Sequence, residues 1–513
     1  MTASTARSIR PSTAGSDASA WYAGTSAQSR GARSRNTHRY DTGVSRRDAD
    51  AEADEFADRG RYRRFVNPRW ARALRLVGCD REWTHGEGVH LIDSQGRRVL
   101  DAIAGYGAAT VGHNHPRVIE ALRSALDRRT PGMVHFGIPP LAGALAEALL
   151  RRSAPSLDKV LFTNSGTEGI EAAIKLARAS TGRAMIVHCD HSFHGFTTGS
   201  LSLVGVDSLR EGFGELLPSR RIPFGDLEAL ERALSPRDAA AFVVEPVQGK
   251  GVRIPPDGWL PEAQRLCRRV GTLLVIDEVQ TAFGRTGAMF ECVSQGVDDP
   301  DVVVVSKALS GGMIPVGAVL ARERIWRAMF SSLDRALVHS STFHQAPLAM
   351  SAALAVLELI DDERLVERSA RLGSRLRASL ESLRSRHRSL GEVRGRGLMI
   401  AIDLEPPRPL RGRLESMLWP QGFVMSLLSE GAVLAQVVSQ RSATVKFTPP
   451  LVLDEAGVDR IVAAVDLALA RADSGVIDGS LAALARMARN FLRREPTRSL
   501  DAVTRSVRRH PAP

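Results

Sequence analysis

The residues of this chain whose types are most informative about chemistry are its lysines. The sequence contains five lysines and sixty-four arginines. Arginine stays protonated in proteins, whereas a lysine amine can lose its proton and attack a carbonyl carbon. Lys307 ends the run of four valines and a serine at 302–306, and a glycine-containing turn follows it. An amine at the end of a buried strand predicts a lysine that forms a Schiff base.

A second candidate site lies where a predicted strand, 159–163, runs into a turn of small residues. The turn is Asn164-Ser165-Gly166-Thr167-Glu168, and a helical pattern follows it. A helix start offers free backbone N–H groups and the positive end of the helix dipole, which together suit a phosphate. Many such turns are ordinary helix caps, so this motif alone leaves both interpretations open.

A third candidate is Asp277, which ends the apolar strand predicted at 272–276. Open α/β sheets bind their ligands at the carboxyl ends of strands. Asp277 alone fits an ordinary strand-end acid or a metal ligand. Beside a phosphate site and a Schiff-base lysine it fits a third role, because a carboxylate next to a pyridine nitrogen keeps that ring protonated and electron-poor.

Together these motifs resemble one family, the class III (subgroup II, ω-type) pyridoxal-phosphate aminotransferases of fold type I, over residues 65–472. The resemblance implies pyridoxal 5'-phosphate as the cofactor. No metal is expected, because the four cysteines lack paired metal-ligand spacing. The segments that carry it are Tyr106 to Pro116, Asn164 to Glu168, Phe193-His194-Gly195, Glu245 to Gly249, Asp277-Glu278-Val279-Gln280, Lys307 and Ser341-Thr342-Phe343.

The resemblance also implies roles for single residues. Lys307 is the Schiff-base lysine and Asp277 pairs with the pyridine nitrogen, so these two are the expected catalytic residues. Thr342 caps the phosphate of the neighbouring subunit, which implies an obligate homodimer. The ring of Phe193 stacks on the cofactor, Val279 packs on its ring, and Gln280 reaches its phenolic oxygen. The cofactor-binding positions expected in full are Ser165, Gly166, Thr167, Phe193, His194, Glu245, Asp277, Val279, Gln280, Lys307 and Thr342.

The substrate pocket departs from the family's pattern at two lysines. Many members have a Glu where this chain has Lys250, and an Arg where it has Lys446. In those members the Arg binds a substrate carboxylate, and the Glu neutralises the Arg when a different substrate enters. A lysine lacks the bidentate fork of arginine, so we expect weaker clamping of a carboxylate here.

Two aromatic residues are also expected in the substrate pocket. Tyr106 occupies the early aromatic position that lines the ω-amine pocket of the family. Phe196 stands where ornithine-type members have an Arg that holds the α-carboxylate, which argues against ornithine itself. Of the remaining lysines, Lys159 starts a strand, and Lys175 follows Glu171 by four residues, which predicts a surface ion pair.

Alternating patterns predict an α/β protein with a mostly parallel central sheet. Strands are expected at 159–163, 185–188, 240–244, 272–276 and 302–305, with helices at 169–180 and 261–270 among them. Residues 346–361, 364–385 and 454–471 read as helices, and 90–101, 396–403 and 431–447 as short strands. The expected organisation is a disordered tail at 1–64, the N-terminal part of a small domain at 65–110, a large cofactor-binding domain at 111–365, the C-terminal part of the small domain at 366–472, and a basic helical extension at 473–513.

The net charge of +12 is concentrated in the ends of the chain. Residues 1–65 and 473–513 each carry an excess of four positive charges, which leaves four for the body. This argues against a broad nucleic-acid-binding face. No apolar stretch approaches the roughly 18–20 residues that span a bilayer. The four cysteines are far apart, as in reduced cytoplasmic proteins. The Arg- and Ser-rich start loosely resembles a transit peptide, without apolar periodicity.

The predicted function is transfer of an amino group from a terminal primary amine to a 2-oxo acid such as 2-oxoglutarate. The donor is expected to be a diamine, an ω-amino acid, or an acetylornithine- or ornithine-like compound. Aminomutases and amine phospho-lyases of class III share the cofactor site and remain alternatives. A more distant alternative is a protein that binds nucleic acid or membranes through its basic tails.

Overall fold

The computed structural model describes residues 59–76, 78–134, 136–407, 409–410, 412–438, 443–475 and 477. Its helices of seven or more residues are α1 (Arg59–Phe65), α2 (Pro68–Leu76), α3 (Pro116–Asp127), α4 (Pro140–Leu150), α5 (Gly166–Thr181), α6 (Leu227–Leu234), α7 (Trp259–Val270), α8 (Glu323–Met329), α9 (Pro347–Asp362), α10 (Leu365–Ser382), α11 (Gly412–Ser429) and α12 (Glu455–Asp473). Short helical turns lie at Ala104–Gly107, Thr198–Leu201 and Glu291–Ser294.

The strands form three sheets. They are β1 (Trp83–Glu87), β2 (His90–Asp93), β3 (Arg98–Asp101), β4 (Lys159–Thr163), β5 (Met185–Cys189), β6 (Ser219–Ile222), β7 (Ala239–Val244), β8 (Leu273–Asp277), β9 (Val302–Val305), β10 (Gly317–Ala321), β11 (Leu390–Arg396), β12 (Met399–Leu404), β13 (Val433–Leu434), β14 (Gln436–Val437) and β15 (Thr444–Phe447). The chain divides into two compact units at Pro68. The sheets and the candidate site all belong to the second unit.

The central sheet has seven strands in the order β4-β10-β9-β8-β7-β5-β6. Only β10 runs antiparallel to its neighbours, so the other six strands point the same way. Strands β7, β8 and β9 are buried along their whole length. Continuous apolar runs such as these are expected where helices cover both faces of a parallel sheet. The predicted mostly parallel sheet is confirmed.

Of the two smaller sheets, the first joins segments from the N-terminal and C-terminal parts of the chain, and the second is built from the C-terminal part alone. In the first sheet, β13 pairs in parallel with β3, with Val433 opposite Leu100. The other sheet, β11-β12-β15-β14, is antiparallel and places Lys446 opposite Ala401. The first small sheet therefore contains segments from both parts of the chain, as the fold class predicts.

Most predicted elements are present, with the boundaries given above. The sequence did not predict β6, in which two arginines interrupt the apolar pattern, or β10, whose short apolar run does not by itself distinguish a strand from a buried helix segment. The last six residues of the predicted disordered tail, 59–64, instead belong to α1, whose arginines are good helix formers. The basic helical extension predicted at 473–513 lies, beyond residue 477, outside the described residues. Among the helices described here, none is both long and apolar enough to cross a membrane.

Candidate active site

Lys307 and Asp277 lie at the same edge of the central sheet. Strands β8 and β9 are parallel neighbours, with Asp277 opposite Val304, and Lys307 follows two residues after β9 ends. Lys307 has a φ of 41°, in the left-handed region. Holding a residue other than glycine there costs roughly 1–3 kcal/mol, and such strain concentrates at functional sites. The preceding Ser306 anchors the turn by donating from its hydroxyl to the Val316 carbonyl at 2.7 Å.

The surroundings of Lys307 favour a reactive amine. Burial lowers the pKa of Lys307, while the carboxylates of Asp277 and Glu245 oppose that shift. Desolvation disfavours the charged form of an amine, so a lowered pKa leaves more of the neutral nucleophile near neutral pH. This is the property expected of a lysine that forms a Schiff base.

Asp277 is fixed in place by two hydrogen bonds. Its Oδ2 lies 2.7 Å from Nδ1 of His194, and its Oδ1 accepts the backbone N–H of Val279 at 3.0 Å. Burial alone would lower the pKa of His194, but the hydrogen bond and charge of Asp277, with Glu245, outweigh it and raise that pKa. Within the described part of the chain, Nε2 of His194 is buried without a hydrogen-bond partner.

The predicted phosphate turn caps helix α5. The Ser165 hydroxyl accepts the backbone N–H of Glu168 at 3.3 Å. A Cβ on Gly166 would lie 2.8 Å from both γ-methyl groups of Val279, so only glycine fits there. A Cβ on Gly195 would lie 2.2 Å from Oγ1 of Thr167. The two glycines therefore allow the start of α5 to approach the residues that follow Asp277 and His194.

Hydroxyl groups that the sequence did not single out complete this turn. Oγ1 of Thr167 lies 2.8 Å from Oγ1 of Thr197 and 2.7 Å from Oγ of Ser200. Glu171 accepts the Thr197 hydroxyl at 2.5 Å and the Ser200 backbone N–H at 3.0 Å. The run of small hydroxyl residues after Phe196 was the available signal for them.

Lys175 and Ser341 join α5 to a later segment of the chain. Lys175 donates from Nζ to the carbonyl of Val338 at 2.7 Å, and Glu171 is engaged as above, so the predicted surface pair of Lys175 with Glu171 is wrong. Nδ2 of Asn164 donates to the Ser341 hydroxyl at 2.7 Å. Thr342, the next residue, is exposed.

Glu245 and Gln280 organise the opposite side of the site. The Glu245 carboxylate accepts the backbone N–H groups of Phe193 at 3.1 Å and Gly249 at 2.8 Å. Burial raises the pKa of Glu245, and the neighbouring Asp277 carboxylate adds to this against the opposing His194. Gln280 donates from Nε2 to the carbonyl of Tyr106 at 2.7 Å. Gln280 thereby joins the loop after β8 to the turn that carries Tyr106.

The predicted substrate residues divide into an exposed group and a buried one. Tyr106 and Phe196 are more than half exposed, and the Phe196 ring packs edge-on against Phe193 with their centroids 5.0 Å apart. Lys446, on β15, is 4% exposed and donates to the Gly249 carbonyl at 2.9 Å and to Oε1 of Gln280 at 3.5 Å. Burial, then the charge of Lys307, lower the pKa of Lys446 to about 7, with a smaller lowering by Arg285 and an opposing effect of Glu245.

Lys250 lies in the loop after β7, directly after Gly249. Burial lowers its pKa, Glu245 opposes that shift, and Arg253 adds to it. Arg285, which the sequence gave no reason to select, is 1% exposed and donates to the carbonyls of Leu398 at 3.0 Å and Pro449 at 2.5 Å. Burial lowers the pKa of Arg285 to about 9.

These residues fit pyridoxal phosphate. The start of α5 offers a phosphate site that glycines keep open, Asp277 offers a buried carboxylate for a pyridine nitrogen, and Lys307 offers an amine at the same sheet edge. His194, whose Nδ1 contacts Asp277, has a buried Nε2 without a partner among the described residues. Fold and site together define a pyridoxal-phosphate-dependent transferase of fold type I.

Comparison with known proteins agrees with this class. The sequence profile described as aminotransferase class-III matches residues 78–469, and the chain belongs to that family. Aminotransferase PigE of a Serratia species is 36% identical over 445 residues, which cover 79% of this chain and 52% of PigE. The chain thus spans about half the length of that relative. Ornithine aminotransferase 1 of Staphylococcus aureus is 36% identical over 391 residues, which cover 74% of this chain and 92% of the relative.

Solved structures show the same fold. The ornithine aminotransferase of Toxoplasma gondii superposes with a TM-score of 0.74 at 28% identity, covering 83% of this chain and 98% of that one. A second structure of that enzyme has pyridoxal phosphate at partial occupancy in its active site. This protein is accordingly a pyridoxal-phosphate-dependent aminotransferase.

Proposed function

We propose that this aminotransferase takes the amino group of a terminal primary amine and passes it to a 2-oxo acid such as 2-oxoglutarate in a ping-pong reaction. The donor classes are a diamine, an ω-amino acid, or an acetylornithine- or ornithine-like compound. The observation that carries the proposal is the common sheet edge of the Lys307 amine and the buried Asp277 carboxylate. We also propose that the enzyme works in the cytoplasm, which suits the free thiols of its four cysteines.

The relatives' names support terminal amines as donors. An acetylornithine aminotransferase of Methanosarcina mazei is 36% identical and a putrescine aminotransferase of Pectobacterium atrosepticum is 35% identical. The substrates in both names end in a primary amine. Phe196 occupies the place expected of an arginine for ornithine itself, so an ω-amine without the α-carboxylate of ornithine fits this pocket better.

Each residue of the site has a proposed part in the reaction. Bound pyridoxal phosphate supplies an electron-poor ring that stabilises negative charge on the carbon next to the reacting nitrogen. Lys307 holds the cofactor through its amine and, once a donor amine has replaced it, takes the proton from the amine-bearing carbon of the donor. Asp277, oriented by His194, keeps the ring nitrogen protonated. Ser165, Gly166 and Thr167 hold the phosphate at the start of α5.

The remaining proposed contacts surround the ring and the substrate. Phe193 and Val279 pack against the ring, and Gln280 reaches its phenolic oxygen. Glu245 orients the Phe193 and Gly249 backbone, as its two hydrogen bonds suggest. The substrate contacts are Tyr106, Phe196, Lys250 and Lys446. Amine donor and carbonyl acceptor use one pocket in turn.

We propose that the functional unit is a homodimer in which Thr342 serves the cofactor of the partner subunit. Large apolar side chains are highly exposed near this residue and in another loop, namely Leu333, Leu337, Phe343, Phe136 and Ile138. A cavity of about 650 Å³ is lined in part by Leu333 and Leu337 and extends to His344. Exposed apolar surface of this kind marks an interaction site, and a second copy that covers it would bring Thr342 to the next active site.

The test uses the colour of the purified holoenzyme. A true donor amine should remove the visible absorption of the bound cofactor, and a 2-oxo acid added afterwards should restore it. An aminomutase would complete its reaction without a second substrate, and a phospho-lyase would release phosphate and ammonia. Lys307→Ala is the control, because it lacks the reacting amine. A wild-type protein that takes up no pyridoxal phosphate would contradict the proposal.

A further inference from the structure

The loop after β7 places two lysines around a single carboxylate. The Glu245 carboxylate accepts the Gly249 N–H at 2.8 Å, and the carbonyl of the same Gly249 accepts Nζ of Lys446 at 2.9 Å. Lys250 is the next residue along the chain. Both lysines are thus tied to Gly249, Lys250 by the peptide bond and Lys446 by its hydrogen bond, which places the two cations on one side of the active site. Glu245 also acts electrostatically on both.

Glu245 neutralises neither lysine by direct contact. Its two oxygens are engaged by the backbone N–H groups of Phe193 and Gly249. The hydrogen bonds of Lys446 go to a carbonyl and to the Gln280 amide oxygen, both of them neutral. Across the described residues, no carboxylate lies within ion-pair distance of Lys250 or Lys446. A buried cation without a paired anion is costly, and an anionic ligand relieves that cost.

The other charged groups that face Lys446, apart from Glu245, are cations as well, so they do not neutralise it. Lys307 approaches it from the turn after β9, and Arg285 from the loop after β8. The strand partners of Lys446 in its own sheet, Ala401 and Gln436, are uncharged. Arg285 donates to two carbonyls rather than to an acid, and its Nε and Nη2 are buried without partners among the described residues.

Lys307 and Asp277 would hold the cofactor, so the charged side chains left to act on the substrate are Lys250, Lys446 and Arg285 against Glu245. This leaves an excess of positive charge beside the reacting amine. Like charges repel more strongly in a site of low dielectric than in water. The far end of a diamine carries an ammonium, which this environment opposes, whereas the far end of an ω-amino acid carries a carboxylate, which it favours.

We propose that Lys250 and Lys446 make this site select donors whose far end is anionic, such as ω-amino acids, and reject diamines. The inference rests on the proposed function and narrows its donor class. Where the resemblance implies a Glu that neutralises an Arg, this chain has two cations that act together. The enzyme then chooses its donor by the charge at the end of the donor that lies away from the reacting amine, rather than by the donor's chain length.

Three donors of four carbons separate charge from length: γ-aminobutyrate, butylamine and putrescine. The measurement is the rate constant for loss of cofactor colour in the holoenzyme, at a pH of about 6, where the Lys446 ammonium prevails. The expected order is γ-aminobutyrate, then butylamine, then putrescine, with steps of roughly tenfold for one charge interaction. A putrescine rate equal to or above that of γ-aminobutyrate overturns the proposal.

Charge reversal at one lysine tests the cause. Lys250→Glu should raise the putrescine rate relative to γ-aminobutyrate by roughly tenfold or more. The matched control is Lys159→Glu, which changes the net charge equally at the start of β4, away from the strand ends that carry the site. An unchanged donor ratio in Lys250→Glu, or an equal change in the control, overturns the role of Lys250.

Binding of unreactive ligands tests the charge preference of the pocket independently of the reaction. Titration calorimetry compares glutarate with tetramethylputrescine, whose tertiary amines cannot form a Schiff base. Glutarate should bind more tightly, and Lys250→Glu should reverse or remove that preference. If none of the three amines discolours the cofactor, the proposed donor class is wrong, while the calorimetric order still supports or overturns the charge selection.

Discussion

His194 and Asp277 form a buried pair in which Nδ1 lies 2.7 Å from Oδ2, with the side chains 0% and 4% exposed. The hydrogen bond joins the loop after β5 to the end of β8. The Asp277 charge, against the opposing effect of burial, raises the pKa of His194 and so favours a protonated imidazole. The proposed partner of the cofactor's ring nitrogen is thereby held in one orientation before any ligand binds.

Replacing His194 should weaken catalysis, because it removes the hydrogen bond that orients Asp277. A hydrogen bond to a charged group contributes about 1.5–3 kcal/mol, so His194→Ala should lower kcat by roughly ten- to a hundredfold. KM for the donor should change less, and the cofactor's absorption should become more sensitive to pH. The control is His85→Ala on the exposed part of β1. An unaltered kcat and spectrum in His194→Ala would remove His194 from the site.

Replacing Lys307 should stop the chemistry while the fold persists. Lys307→Arg keeps a cation, but arginine does not lose its proton, so turnover should fall by roughly 10²–10⁴-fold or more. Lys307→Ala leaves room for a small amine, and added methylamine should restore part of the proton transfer. Steady-state kinetics with and without methylamine measure both effects. Residual activity close to wild type in Lys307→Arg would contradict the assignment.

Gly166 should be intolerant of a side chain because of Val279. An added Cβ would lie 2.8 Å from both γ-methyl groups, so Gly166→Ala should shift the phosphate turn and lower cofactor affinity by tenfold or more, on the order of 1–3 kcal/mol for overpacking. Gly143→Ala is the matched control, since its Cβ meets nothing within 4 Å on α4. That change should stabilise the protein by about 0.5–1 kcal/mol. Cofactor titration measures the loss of affinity in Gly166→Ala, and thermal unfolding measures the gain in stability in Gly143→Ala.

Use of 2-oxoglutarate should depend on the protonation of Lys446. Burial, with Lys307 adding, lowers the pKa of Lys446 to about 7, so its ammonium prevails below that pH and its neutral amine above it. If Lys446 faces the acceptor's carboxylate, kcat/KM for 2-oxoglutarate falls as the pH rises through about 7. Lys446→Arg stays protonated, so it should remove this step and improve 2-oxoglutarate use at higher pH. Identical pH profiles for the two proteins would place Lys446 away from the acceptor.

Self-association should depend on the exposed apolar loop residues. Leu337→Asp introduces a charge into the proposed interface, which should shift the protein from dimer to monomer in sedimentation experiments and lower activity at low concentration. Leu467→Asp, on the exposed side of α12, is the control. If the wild-type protein were a fully active monomer, Thr342 could not contact the cofactor of a partner subunit, and the proposal would be wrong.

Local sequence was enough to predict the strands that carry the chemistry. Four valines in a row before Ser306 predict β9, and the apolar run before Asp277 predicts β8, because buried parallel strands have no polar alternation. The small-residue turn at Ser165 likewise predicted the start of α5. Other strands were missed: in β6 two arginines interrupt the apolar pattern, and in β10 a short apolar run does not by itself distinguish a strand from a buried helix segment.

The scarcity of lysine by itself identified the candidate amine, since chemistry that arginine cannot perform requires lysine. The order of the motifs indicated the family and the cofactor. Tertiary structure alone decided which partners the other lysines have. Lys175 lies four residues from Glu171 yet donates to Val338, whereas Lys446 lies far from Gly249 in sequence and binds its carbonyl. Burial and the charges that converge on a site arise from distant segments packing together, and no local pattern records them.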